Sequence, residues 1–323
     1  MTPLAEILRA EIAACGPIPF DRFMEQALYH PEHGYYRRGR TVFGRQGDFY
    51  TAEQLQPVFG ILIAQAVRAL RREMGEPADF QVVELGAGRG EMEEAFVEFR
   101  YVPVEWGRAA LPLRIRGVVF ANEFFDALPV RVFRWTGSEY VELLVDCEGE
   151  RFAWTEGGAP DGAHLRYLKA FAQPQDDGVL VETCLPALEW LERTANTLDH
   201  GYVFLIDYGY TRREMVRFPQ GTLMAYRRHT ASADVLADPG SIDITAHVNF
   251  TALFEQASLL GLECVRQETL ARTLLWAGEP DQFAAALQAD GMVDETRRRL
   301  QLKSLLFGMG ETFRTLLLKA GPK

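Results

Sequence analysis

One stretch constrains this chain more than any other: Val82-Val83-Glu84-Leu85-Gly86-Ala87-Gly88-Arg89-Gly90. The apolar run 80–85 ends abruptly in glycines, as expected of a buried parallel strand leaving its sheet through a tight turn. Gly86 permits the sharp exit, and Gly88 and Gly90 let the backbone approach a ligand where a Cβ would collide. Similar short apolar runs follow at 100–104, 117–121 and 202–206, while Leu55, Val58, Phe59, Leu62, Ile63, Ala66 and Leu70 form a helical stripe before the first of them. Gly75 suits the end of that helix, and Arg68, Arg71 and Arg72 complement the dipole of its last turns. The alternation predicts an α/β fold with a mostly parallel sheet.

The loop also discriminates between ligands. A dinucleotide fold requires Gly-x-Gly-x-x-Gly, which from Gly86 places glycine at 91, and the residue there is Glu91. Glu91, Glu93 and Glu94 are expected at the start of a following helix, the field a pyrophosphate would otherwise occupy. S-adenosyl-L-methionine carries a sulfonium and an ammonium and no phosphate, so acidic surroundings suit it. The loop therefore points to that cofactor, with Glu84 placed to hold its cationic amino-acid part; the plain alternative is a tight strand-to-helix connection. Glu105 follows the second run at the distance of a carboxylate that grips a ribose diol, its alternative being a surface residue. Only about a dozen residues separate Glu105 from the next strand, roughly the minimum for a parallel crossover. The usual seven-stranded sheet is thus expected to lack its edge strand after the second one.

Composition excludes several other classes. A net charge of −11 over 323 residues, without a long Lys/Arg run, repels a phosphate backbone, so no nucleic-acid partner is expected. Cys15, Cys147, Cys184 and Cys264 lie far apart, which argues against a zinc site, a redox dithiol or a disulfide framework and fits a reducing cytoplasm. The most apolar stretch, 58–67, is too short to span a bilayer, so no membrane association is expected. His30 and His33 have a metal-ligand spacing, but Pro31 and Gly34 break the helix that would aim both one way, and no metal is expected. Residues 1–75 read as an N-terminal helical or lid segment and 76–323 as the core. Hairpin punctuation at about 130–178 marks an antiparallel insertion covering the substrate side. Residues 249–260 form an amphipathic helix capped by Asn249 and ended by Gly261, and the last forty or so residues read as helical.

The segment Ala121-Asn122-Glu123-Phe124-Phe125-Asp126-Ala127-Leu128-Pro129-Val130 resembles the MidA-like methyltransferases, a bacterial and mitochondrial family. The likeness recurs in Gly16-Pro17-Ile18-Pro19-Phe20, Gly34-Tyr35-Tyr36, Gly47-Asp48-Phe49-Tyr50-Thr51, Ile206-Asp207-Tyr208-Gly209 and Gly221-Thr222-Leu223. It continues in Pro239-Gly240-Ser241-Ile242-Asp243-Ile244-Thr245-Ala246-His247-Val248 and Gly308-Met309-Gly310-Glu311. The resemblance implies a Rossmann-like core that binds S-adenosyl-L-methionine, with N-terminal and inserted elements covering the site, and transfer of methyl to an arginine of a partner protein. Residues 92–115 are shorter than the family pattern, and Asn249 stands where that pattern has Asp.

Methyl transfer is an in-line displacement, so the protein's work is alignment and exclusion of water. Asn122 ends a strand at the carboxyl edge, where open α/β sheets bind ligands, and is assigned to the cofactor with Glu84, Gly86, Gly88, Gly90 and Glu105. The resemblance implies that Asp48 and Thr51, after the Gly47 turn and beside Tyr50, form a lid over it. Glu123 and Asp126 are candidates for pairing with a cationic acceptor, with capping of the next turn as their alternative. Asp207 ends another strand, and His247 and His229 are acid/base candidates with a hydrogen-bonded structural role as the alternative. Two rival readings remain: a small-molecule O- or N-methyltransferase, and an assembly factor that keeps the fold without the chemistry.

Overall fold

Strand β1 (Gln81–Leu85) is buried along its whole length, as an apolar run covered on both faces must be. It pairs in parallel with β2 (Arg100–Val104) on one side and β3 (Ile115–Asn122) on the other. β3 in turn pairs in parallel with β4 (Leu198–Tyr210). Beyond β4 lies not β5 (Glu263–Thr269) but β6 (Phe313–Ala320), antiparallel to both and wedged between them. The main path of the sheet therefore reads β2-β1-β3-β4-β6-β5, with β2 at the edge. The short crossover from β2 to β3 leaves no room for a further strand, and among the described residues β2 pairs only with β1. This is the shortened α/β sheet expected from the sequence.

The computed structural model describes residues 2–37, 55–107, 110–227 and 230–322. They fall into two compact units, one comprising Thr51–Phe125, Glu189–Gly209 and Leu253–Lys323, the other Met1–Tyr50, Asp126–Leu188 and Tyr210–Ala252. These boundaries differ from a division at residue 75. Helix Val58–Glu73 belongs with the sheet, because Val58, Phe59, Leu62, Ile63 and Val67 share one buried core with Val82, Val118 and Phe204. Helices Pro3–Cys15 and Phe20–Tyr29 instead share a core with Val130, Val132 and Val145 of the inserted region. That region is antiparallel as expected, its strands Arg131–Trp135, Tyr140–Glu148, Arg151–Glu156 and Leu180–Thr183 being joined at one edge by Ile18–Pro19. It also carries a helix, Gly162–Phe171, whose N-cap Asp161 accepts from two backbone N–H groups.

Two expectations are corrected. Residues 313–320 are not helical: Leu316, Leu317 and Leu318 are all buried, and β6 lies between two strands with both faces covered. An apolar run of that length is ambiguous by periodicity alone, and the neighbouring strands decide it. Nor does a regular helix follow the glycine loop. Residues 86–99 form successive turns in which Gly90 N–H donates to Ala87, Glu93 to Gly90 and Phe99 to Phe96. Three glycines and three closely spaced glutamates oppose a helix there, while Met92 and Phe96 are pulled fully into the core. Glu91, Glu93 and Glu94 consequently do not sit on a helix N-terminus.

Strand packing across the sheet centre depends on two glycines. A Cβ at Gly117 would stand 2.0 Å from the Gln81 carbonyl oxygen, and one at Gly201 would stand 1.9 Å from that of Gly117. Gly117→Ala is therefore expected to destabilise the chain by about 1–3 kcal/mol in urea unfolding, the range for forced overpacking. Gly158→Ala, at a position with open space around it, should fall within about 0.5 kcal/mol of the parent; equal values for the two variants would contradict the close packing.

Candidate active site

The carboxyl ends of the parallel strands stand level. Leu85 is in register with Val104 on one side and Ala121 on the other, so Gly86, Glu105 and Asn122 emerge side by side. Gly86, Gly88 and Gly90 have φ of 71°, 57° and 80°, in the left-handed region that favours glycine. Gly86 is doubly constrained, since a Cβ there would also lie 2.8 Å from the Phe124 ring. At Gly90 the nearest obstacle to a Cβ is the Glu93 side chain, so backbone conformation explains that glycine without a ligand.

Carboxylates crowd this edge. Glu84 is 1 % exposed and accepts a 2.5 Å hydrogen bond from the Tyr101 hydroxyl on β2. Burial pushes its carboxyl up to about 8; the Tyr101 hydrogen bond opposes that, and Glu91 and Glu105 reinforce it. The Glu105 carboxylate accepts the Gly88 N–H at 2.7 Å, fastening the glycine loop to the end of β2. Its own pKa is raised by burial, against the pull of the Gly88 N–H, with Glu91 adding to the rise.

On the other side of the loop, Glu123 adopts φ 51°, a conformation that non-glycine residues seldom hold unless the surroundings impose it. Its N–H donates to the Ile206 carbonyl of β4, and its carboxylate accepts from the Asn122 side-chain amide at 3.2 Å. Asp207, 1 % exposed, has one carboxylate oxygen on the Phe125 N–H and the other on the Tyr208 N–H, both at 2.9 Å. It therefore positions the 123–125 turn from beneath. Trp106, Phe124 and Trp190 form an aromatic wall at the same edge, with Phe124 edge-on to Trp190.

The structure thus brings Glu84, Gly86, Gly88, Gly90, Glu105, Asn122, Glu123 and Asp207 to one sheet edge. Asp126 and His247 belong to the other unit. The Asp126 carboxyl is buried and its carbonyl accepts the Ala246 N–H. His247 donates its backbone N–H to Thr222 and packs its ring against Phe218, with burial lowering its pKa. Asp48, Tyr50, Thr51 and His229 lie outside the described residues. His30 uses Nδ1 to accept the N–H groups of Glu32 and His33, a local turn contact. Asn249 accepts the Ala252 N–H as the cap of helix Phe250–Leu259, a task an Asp would do equally well.

A family model described as S-adenosyl-L-methionine-dependent methyltransferase matches residues 98–267, more than half of the chain. The chain belongs to this methyltransferase family. A mitochondrial protein arginine methyltransferase NDUFAF7 homolog of Drosophila melanogaster is 29% identical to it, across 76% of this chain and 68% of that protein. Human NDUFAF7, also named a mitochondrial protein arginine methyltransferase, is 25% identical, across 85% of this chain and 74% of its own length. Among solved structures, a COG1565 superfamily member from Burkholderia thailandensis, bound to S-adenosyl-homocysteine, superimposes with a TM-score of 0.88 at 30% identity, covering 99% of this chain and 92% of that one.

Sequence reasoning about this methyltransferase missed Tyr101, the anchoring role of Asp207, and Trp190. Tyr101 and Glu84 meet only because β1 and β2 pair in parallel register, a fact no local pattern carries. Because the fold favours the protonated form of Glu84, the stability this residue contributes is fully present below the ordinary carboxyl pKa and lost as pH rises through about 8. Glu84→Gln keeps an acceptor for Tyr101 and removes the charge. Its melting temperature should rise relative to the parent as pH increases from about 5 to 8; parallel melting curves across that window would place the Glu84 carboxylate in solvent.

Proposed function

We propose that this methyltransferase uses S-adenosyl-L-methionine to methylate an arginine side chain of a partner protein. The observation that carries the reading is the likeness, over three quarters or more of the chain, to proteins named protein arginine methyltransferases. The donor set fits the cofactor. Burial raises the protonation of Glu84 and Glu105, Glu91 adds to both and Glu105 adds to Glu84, a condition that a ligand with a cationic amino-acid end relieves. No phosphate-binding helix N-terminus stands behind the glycine loop.

When bound, the cofactor supplies an electrophilic methyl on a sulfonium. Glu105 is suited to accept from a ribose diol with the oxygen not held by Gly88, and the glycine loop keeps side chains clear of the ligand. Glu123, held at the end of β3 by its own N–H and by Asn122, can accept from two guanidinium nitrogens in the bidentate geometry arginine favours. Such pairing localises the positive charge away from the third nitrogen and leaves it a better nucleophile. In-line transfer would carry the methyl from sulfur to nitrogen, and Glu123 would be suited to take the proton that the nitrogen loses. An acidic surface also favours the approach of a basic segment at short range.

Two measurements test this reading. Glu105→Ala should weaken binding of S-adenosylhomocysteine by about 1.5–3 kcal/mol in calorimetry, the range for hydrogen bonds to a charged group; unchanged affinity would remove Glu105 from the site. Isotopically labelled S-adenosyl-L-methionine, added with purified protein to a lysate lacking it, should label a protein band on arginine. Glu123→Gln should cut that turnover more than it cuts cofactor affinity. Label found only on a metabolite would replace arginine by a small-molecule acceptor, and equal losses of affinity and turnover would move Glu123 into the cofactor pocket.

A further inference from the structure

Trp190 lies on helix Leu185–Thr197, and its side chain is an anomaly. It is only 6 % exposed, yet its indole N–H has no hydrogen-bond partner among the described residues. A buried donor left unmade costs about 1–3 kcal/mol, so such a group calls for an acceptor. Its ring neighbours among the described residues supply none: Phe124 meets it edge-on at 5.3 Å, Trp106 lies 6.2 Å away at 42°, and the Arg193 guanidinium covers the ring at 5.6 Å. All three offer only apolar surface or donors.

Two links tie Trp190 to the glycine loop. Phe124 abuts Gly86 from one side. Trp106 directly follows Glu105, whose carboxylate holds the Gly88 N–H, on the other. The missing partner must therefore be flat enough to lie among three aromatic rings and must carry an in-plane acceptor with no charge to solvate. Of the parts of S-adenosyl-L-methionine, the ammonium has no acceptor, the sulfonium is cationic, the carboxylate carries a charge that these rings cannot solvate, and the ribose hydroxyls are matched by Glu105. The adenine ring nitrogens N1, N3 and N7 meet the requirement.

We propose that Trp190 determines cofactor specificity by donating its indole N–H to an adenine ring nitrogen, within an aromatic pocket it shares with Trp106 and Phe124. The proposal rests on the cofactor reading above and adds a residue and an atom to it. Trp190 stands on a helix between β3 and β4 in the chain, an element separate from the glycine loop and from β2, and it reads the base by direction as well as by stacking.

The test is calorimetric titration of the full chain with S-adenosylhomocysteine and its 1-deaza, 3-deaza and 7-deaza analogues, each of which replaces one ring nitrogen by C–H. One analogue should bind the parent roughly tenfold more weakly than the others, a difference of about 1.4 kcal/mol. Trp190→Phe, checked for folding by its melting curve, should bind S-adenosylhomocysteine roughly tenfold more weakly and no longer distinguish the analogues. The deaza series on the unaltered chain stands whether or not the variant folds. Equal binding of all three analogues by the parent, or parental affinity in Trp190→Phe, overturns the role of Trp190 while leaving the cofactor reading intact. Failure of the parent to bind S-adenosylhomocysteine at all would overturn the cofactor reading itself.

Discussion

The grip of Asp207 on two separate backbone segments is the interaction on which the geometry of the site depends. One carboxylate oxygen takes the Phe125 N–H and the other the Tyr208 N–H. A strand end is thereby fastened to the neighbouring strand's turn, and Glu123 can hold its left-handed conformation only because that turn is fixed at both sides, by Ile206 before it and Asp207 after it. Phe124 lies within the same clamp, and its ring sets the wall against which Gly86 must be glycine. Loop, wall and candidate acceptor residue thus share one buried support, where hydrogen bonds to a charged group are stronger than neutral ones.

Electrostatics at this edge run opposite to what fold stability alone would select. Burying Glu84 with two other carboxylates in range destabilises the ionised form, and Tyr101 offsets only part of that. Function sites commonly carry such unresolved charge. Under the proposed cofactor reading the negative charge is complementary to a cationic ligand, so binding of that ligand and ionisation of Glu84 would favour each other.

Much of this was legible in the sequence because it is local. Apolar runs, glycine punctuation and the shortness of the segment between Glu105 and β3 were enough to anticipate the parallel strands and the missing edge strand. The positive φ at Gly86, Gly88 and Gly90 follows from the same pattern. What escaped was non-local. β6 is a strand because two others enclose it. The N-terminal helices lie with the inserted strands because Ile18–Pro19 extends that sheet by two residues, too short a strand to leave a periodic signal. Asp207 was found as a site residue but not as an anchor, since its partners depend on which strand lies beside β4.

Loss of a strand has a consequence at the periphery. β2 is left as a border whose outward backbone groups invite pairing with another chain, the usual route to aggregation. The strand is only five residues long and carries Pro103, which has no N–H to offer, next to solvent. Exposed Arg100 adds a charge at its start. A foreign strand laid along it would find an interrupted ladder and a cation to desolvate, so the trimmed sheet is protected from templating its own polymerisation by the residues that terminate it.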